Sequence, residues 1–156
     1  MKLILVGKAA AGKDYFRARL KDKGFRGGVS HTTRPPRETE VEGIDYYYVT
    51  DERFIEMEEN GEMLEFMDFK GWKYGLTIEE YNNSDVLIMS PDGLKKLPDH
   101  IKKECLIIYL DIPPTTRLTR LIIRNDSYPP MEREAVDTIQ FNKFKEFDLR
   151  VTNPEF

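Results

Sequence analysis

The segment that most constrains this chain lies near its start. Leu3-Ile4-Leu5-Val6 is an unbroken apolar run, the pattern of a strand covered on both faces, and it passes directly into Gly7-Lys8-Ala9-Ala10-Ala11-Gly12-Lys13-Asp14. From Asp14 to Lys23 the chain reads as an amphipathic helix, with Phe16 and Leu20 at i, i+4 and Gly24 as its stop. A G-x-x-x-x-G-K turn between a buried strand and a helix suits phosphate. Glycines and small residues let backbone N–H groups point inward, Lys13 adds a positive charge, and the helix presents its N-terminus. The alternative is a glycine-rich turn with no ligand, and the strand before and helix after weigh against it. Asp14 stands where the motif usually has Ser or Thr. A carboxylate there is a candidate Mg²⁺ ligand, directly or through a water, and also a candidate helix cap.

Downstream, apolar runs at Val86–Met89 and Leu106–Leu110 predict two more buried strands, and Leu149–Thr152 a last one. Helices are predicted from Thr50 to Asn60, from the Thr77-Ile78-Glu79-Glu80 capping box, from Thr115 to Asn125 and from about Met131 to Phe147, with a break at Asp126–Pro130. Strands alternating with helices indicate an α/β fold with a parallel core sheet. Between Ser30 and Asn83 the strands predicted at Tyr46–Val49, Met63–Phe69 and Trp72–Tyr74 are too close together for helical crossovers. That stretch is expected to be an antiparallel insertion, in a chain of 156 residues that suits one domain.

Formal charge is −4, which argues against a protein that coats nucleic acid or an anionic membrane. No apolar run approaches the roughly 20 residues of a membrane span. The single Cys105 packs as a small hydrophobe and fits a reducing compartment, so the expected location is the cytoplasm. One Cys and two separated His, His31 and His100, make no zinc-type cluster. The mild net charge hides an asymmetry. Lys23, Arg26, Arg34 and Arg37 occur without an acid between them, whereas Glu38 to Glu59 holds nine acids against Arg53. Such a basic patch can hold a small anion while the whole chain stays acidic.

Arg34 and Arg37, three apart and stiffened by Pro35 and Pro36, suit bidentate binding of a phosphate monoester. The stretch Ser30-His31-Thr32-Thr33-Arg34-Pro35-Pro36-Arg37, continued through Glu40, Gly43, Asp45, Tyr46 and Tyr48, resembles the guanylate kinase signature, and with the phosphate loop it extends the resemblance from Met1 to Asn153. The resemblance implies a three-layer α/β fold of the P-loop NTPase type, with parallel core sheet, antiparallel nucleotide-monophosphate-binding insertion and helical lid. The implied division is a core at 1–29, 84–118 and 140–156, an acceptor-binding insertion at 30–83 and a lid at about 119–139.

By the same resemblance Gly7, Lys8, Ala9, Ala10, Ala11, Gly12, Lys13, Asp14 and Asn153 would bind ATP. Arg34, Arg37, Tyr46 and Tyr74 would grip the acceptor's phosphate, while Ser30, Glu65 and Ser90 would face its base. Arg120, Arg124 and Arg133 would close from the lid and, with Lys13 and Arg34, stabilise charge in the transition state. Two departures stand out. Tyr74-Gly75-Leu76 lacks the family's hydroxyl after glycine, and Ile88-Met89-Ser90 replaces an Asp-x-Asp pair. Asp14 is expected to compensate for the carboxylate missing at Ile88. The implied reaction is transfer of the γ-phosphoryl group of MgATP to GMP or dGMP, by a monomer or weak homodimer whose partners are small nucleotides rather than nucleic acid or membrane. The departures keep open an acceptor with a pyrimidine or modified base. A non-catalytic binding module is the more distant alternative.

Overall fold

The computed structural model describes residues 1–125 and 129–156. β1 (Lys2–Gly7) leads through the loop to α1 (Lys13–Lys21), with Gly12 at φ 95°, a left-handed conformation that costs glycine little. β2 (His31–Thr32) and β3 (Tyr47–Tyr48) follow, then α2 (Asp51–Glu59), capped by the Thr50 hydroxyl, which accepts from Arg53 N–H at 3.1 Å. β4 (Met63–Phe69) and β5 (Trp72–Thr77) form a hairpin whose two turn residues, Lys70 and Gly71, both have positive φ, the geometry a tight hairpin requires. α3 (Ile78–Asn83), β6 (Val86–Ile88), α4 (Pro91–Lys96), α5 (Asp99–Lys102) and β7 (Cys105–Leu110) return to the core. α6 (Pro114–Arg124), α7 (Pro130–Gln140) and β8 (Leu149–Val151) complete it.

The core sheet has the order β6-β1-β7-β8 and is parallel throughout. β1, β6 and β7 read as apolar runs because they are covered on both faces, whereas the edge strand β8 is largely exposed. Along β1, Ile4 and Val6 pack on one side with Leu87, Ile107 and Tyr109, and Leu5 packs on the other with Val86, Ile108 and Leu110. This is the period of two that a strand imposes. The second sheet has the order β3-β2-β5-β4. It is mixed rather than antiparallel, because β2 pairs with β3 in parallel while its other pairings are antiparallel.

Three local expectations are corrected. Thr77 caps α3 by accepting from Glu80 N–H at 3.1 Å, but the Glu80 carboxylate does not fold back to close the box. It accepts instead from Val29 N–H and from the Tyr47 hydroxyl, tying α3 to the segment before β2 and to β3. The last long helix ends at Gln140 rather than Phe147, because Lys143 takes a positive φ of 59° and turns the chain. Phe141, Phe144 and Phe147 cluster around the Tyr109 ring at centroid distances of 5.6, 5.3 and 5.4 Å. α4 and α5, six and four residues long, were not expected. Of the break expected at Asp126–Pro130, Asp126, Ser127 and Tyr128 lie outside the described residues. Among the described residues no helix is long and apolar enough to cross a membrane.

Candidate active site

Parallel α/β sheets bind ligands beyond the carboxyl ends of their strands. There, past β1 and β6, lies a cavity of about 1040 Å³ reaching from the phosphate loop to the second sheet. Gly7, Ala9, Ala10, Ala11, Gly12, Lys13 and Asp14 line one end. Gly7 has no room for a side chain, since a Cβ there would lie 2.9 Å from the Leu110 carbonyl oxygen. Lys13 Nζ donates to the carbonyls of Gly7 at 2.6 Å and Lys8 at 3.1 Å, which folds the side chain over its own loop. Burial lowers its pKa to about 8, with Asp14 and Asp137 opposing that shift. The Asp14 carboxylate is largely exposed in the first turn of α1, and its Oδ1 accepts from Arg17 Nη2 at 3.1 Å. Gly12, not Asp14, occupies the cap position of α1.

Three basic residues from α6 and α7 line the same end: Arg120, Arg124 and Arg133. Arg120 Nη1 donates to the Ala10 carbonyl at 3.0 Å. The Arg133 guanidinium lies over the Phe69 ring at 4.9 Å, with Nε 3.5 Å from Asp137 Oδ1. α7 is held down by Glu134, which accepts from both Nη atoms of the buried Arg117 at 2.6 and 2.9 Å.

The opposite end is built by the segment after β2 and by β4 and β5, and it brings together Ser30, Arg34, Arg37, Tyr46, Glu65, Tyr74 and Ser90. Arg34 and Arg37 share one partner, Glu40, with Arg34 Nη2 at 2.9 Å and Arg37 Nη1 at 2.7 Å. Burial opposes the charge on Glu40. The Tyr48 hydroxyl, the Arg37 backbone N–H and the two guanidiniums nevertheless hold its pKa at about 2. Tyr46 packs edge-on to Tyr74 at 5.9 Å, with the Arg34 guanidinium 5.5 Å from its ring. Burial pushes the Tyr46 hydroxyl up to about 12, so it is a hydrogen-bond donor at neutral pH. Strand alternation separates Tyr47, which packs at a tilt against His31 at 4.8 Å, from Tyr46 and Tyr48.

Glu65 sits on β4 against α4, where Gly93 makes space for it: a Cβ at Gly93 would lie 2.8 Å from Glu65 Oε2. Burial pushes the Glu65 carboxyl up to about 7, against the opposing pull of Lys96 and the Leu76 backbone. The Ser90 hydroxyl caps α4 by accepting from Gly93 N–H at 3.0 Å, and it donates to Met67 S at 3.0 Å. Leu76 is buried in the core at 2% exposure and is absent from the cavity wall.

Two expected residues lie off the cavity. Lys8 turns toward Glu134, at 3.9 Å. Asn153 accepts from Glu155 N–H through Oδ1, and its neighbours Pro154, Glu155 and Phe156 line the wall instead. Four other wall or support residues went unnoticed in the sequence as site residues. Glu40 was visible only as part of a spacing pattern. Met67 and Phe156 look like ordinary core residues, and Asp137 like a solvated acid on a helix. Helical spacing carried one usable signal, since Asp137 lies four residues after Arg133, on the same helix face.

The family model described as guanylate kinase matches residues 1–156. A guanylate kinase of Enterococcus faecalis is 32% identical over 98% of this chain and 80% of its own length. One of Prochlorococcus marinus is 31% identical over 97% and 88%. In fold, the chain is similar to the crystal structure of guanylate kinase from Anaplasma phagocytophilum, with a TM-score of 0.73 at 23% identity, over 98% of this chain and 76% of that one. The phosphate loop, the paired arginines and these similarities together mean that the chain belongs to the guanylate kinase family.

Proposed function

We propose that this protein is a kinase that transfers the γ-phosphoryl group of ATP to the phosphate of GMP or dGMP, giving ADP and GDP or dGDP. The observation that carries the reading is the single cavity with a phosphate loop at one end and Arg34, Arg37, Tyr46 and Tyr74 at the other. Two phosphate sites facing each other across one space are what direct transfer between two nucleotides requires.

An oxygen of the acceptor phosphate attacks the γ-phosphorus while the bond to the β,γ-bridging oxygen breaks, and ADP leaves with that electron pair. No strong general base is needed, since a phosphate monoester with a second pKa near 6 is already largely ionised at neutral pH. Catalysis then rests on alignment and charge neutralisation. Lys13 would reach the transferring group, and Arg120, Arg124 and Arg133 would surround it from the lid. Arg34, Arg37 and the Tyr46 hydroxyl would hold the acceptor's phosphate. The Glu65 carboxylate, when ionised, would accept from the adjacent N1–H and N2–H donors of guanine.

The donor set at the phosphate loop fits Mg²⁺. Mg²⁺ is commonly held by one or two carboxylates together with substrate phosphates and waters, and Asp14 supplies one carboxylate beside Lys13. Among the described residues no cluster of three or more metal-binding side chains exists that would hold an ion by itself. When bound, Mg²⁺ would neutralise charge on the phosphates, and Asp14 would hold it. The protein would work in the cytoplasm as a monomer or weak homodimer on small nucleotides.

A second reading changes only the base. The Ser90 hydroxyl is committed to Gly93 and Met67, and Leu76 is turned into the core, so Glu65 has little polar help in reading guanine. ADP release with MgATP across ribo- and deoxynucleoside monophosphates tests both readings. Best turnover with GMP or dGMP supports the first, and best turnover with a pyrimidine supports the second. No turnover with any acceptor would sink the kinase assignment.

A further inference from the structure

Asp137, in the last turns of α7, is a charged side chain buried to 1% exposure. Burying a carboxylate is costly unless it is well paired. Its strongest partner is on the phosphate loop itself: Oδ2 accepts from Ala9 N–H at 2.7 Å. Its other oxygen, Oδ1, lies 3.5 Å from Arg133 Nε, a nitrogen that is buried without a hydrogen-bond partner. Lys13 is close enough to feel the Asp137 charge. A single anion therefore sits among a loop N–H, a lid guanidinium and the loop lysine. Those are the groups that a nucleotide's terminal phosphate needs, and the carboxylate leaves one of them unsatisfied.

We infer that Asp137 sets the affinity for the donor: its carboxylate holds the place of a phosphate oxygen on the loop, and ATP binds by displacing it. The inference rests on the ATP-dependent reading above and names a residue that tunes it. A phosphate has more oxygens than a carboxylate, so it can take over Ala9 N–H and also satisfy Arg133 Nε. Against that gain stands the Asp137 charge, which repels the phosphates and must lose its loop contact. Glu134 keeps α7 anchored through Arg117 throughout, so displacement moves one side chain rather than the whole helix.

The test is direct binding of ATP, by titration calorimetry without acceptor, to the unaltered protein and to Asp137→Asn. Asparagine keeps an oxygen for Ala9 N–H and removes only the charge. The variant should bind ATP about tenfold more tightly, as expected for loss of one unfavourable charge contact. Equal or weaker ATP binding by the variant overturns the inference while leaving the kinase reading intact. Failure of both proteins to bind ATP overturns both. A second measurement does not depend on the variant folding. In the unaltered protein the Ala9 amide resonance should shift as ATP saturates and the carboxylate contact is exchanged for phosphate. An Ala9 resonance that stays in place at saturating ATP contradicts the displacement.

Discussion

Arg34 Nη2 donates to both carboxylate oxygens of Glu40 at 2.9 Å, and the same carboxylate holds Arg37. One acid therefore fixes the two cations that the proposed reaction sets against the acceptor's phosphate. The cations are preorganised before any ligand arrives, which lowers the ordering cost of binding.

Glu40→Gln should loosen both arginines at once. The KM for GMP should rise at least about tenfold, with a smaller change in kcat, because acceptor positioning is lost more than transition-state charge. Global stability at pH 7 should fall by ~2 kcal/mol, the order expected when a partly buried ion pair loses one member. The folded-state pKa of about 2 is below the ordinary 4.5, so the stabilisation from Glu40 is fully present above about 4.5 and is lost as pH falls toward 2. Denaturant unfolding from pH 7 to pH 2 should show the two proteins converging at the acid end.

Lys13→Ala should reduce kcat by about a hundredfold or more, the scale seen when one preorganised charge is removed from a transition state. With the Lys13 pKa lowered to about 8 in the nucleotide-free protein, kcat/KM for ATP should decline as pH rises through about 8. At saturating ATP the decline should move to higher pH, since the bound phosphates favour the charged amine. A rate profile flat to pH 9.5 under both conditions would show that Lys13 does not govern donor capture.

Burial pushes the Glu65 carboxyl up to about 7, and in the proposed role it meets guanine in its ionised form. The value of kcat/KM for GMP should therefore fall as pH drops through about 7, and Glu65→Gln should remove that limb along with most of the acceptor affinity. The sign for stability is opposite to that of Glu40. The folded protein holds the Glu65 proton more tightly than the unfolded chain does, so this group costs stability as pH rises from about 4.5 to about 7, and the full cost then persists unchanged at higher pH. Glu65→Gln should accordingly melt higher than the unaltered protein at pH 8, with the difference vanishing near pH 4.

Ser90 is a helix cap whose hydroxyl is already committed. Ser90→Ala should cost ~1 kcal/mol of stability, the ordinary loss of a cap, with little change in the preference for GMP over IMP. Ser90→Asp keeps a good cap and adds an acceptor on the cavity wall. It should raise the GMP-over-IMP ratio of kcat/KM by about tenfold, since an added charged hydrogen bond is worth about 1.5 kcal/mol or more. A ratio unchanged by the aspartate would mean that position 90 does not meet the base edge.

The parts legible in the sequence are those with a short-range physical signature. β1, β6 and β7 announce themselves because strands buried on both faces must be apolar throughout, and Thr50 and Thr77 because their hydroxyls cap the helices that follow. β2 is two residues inside a polar loop, and its pairing with β5 across more than forty residues leaves no local pattern. α7 stops at Gln140, short of the expected Phe147, because Phe141, Phe144 and Phe147 gather around Tyr109 on a distant strand, a contact with no local signature. At the site, the phosphate loop and the paired arginines were legible because their spacing is the chemistry. The contact from Asp137 to Ala9 spans 128 residues of sequence and becomes visible only when α7 lies on the loop.

The central claim, direct transfer between two nucleotides, is tested most directly by identifying the product. Enzyme, MgATP and GMP are mixed and followed by phosphorus NMR. The expected result is growth of the GDP β-phosphate resonance in step with ADP, without accumulation of inorganic phosphate. ATP consumption that yields inorganic phosphate and leaves GMP unchanged, or no consumption at all, would contradict it.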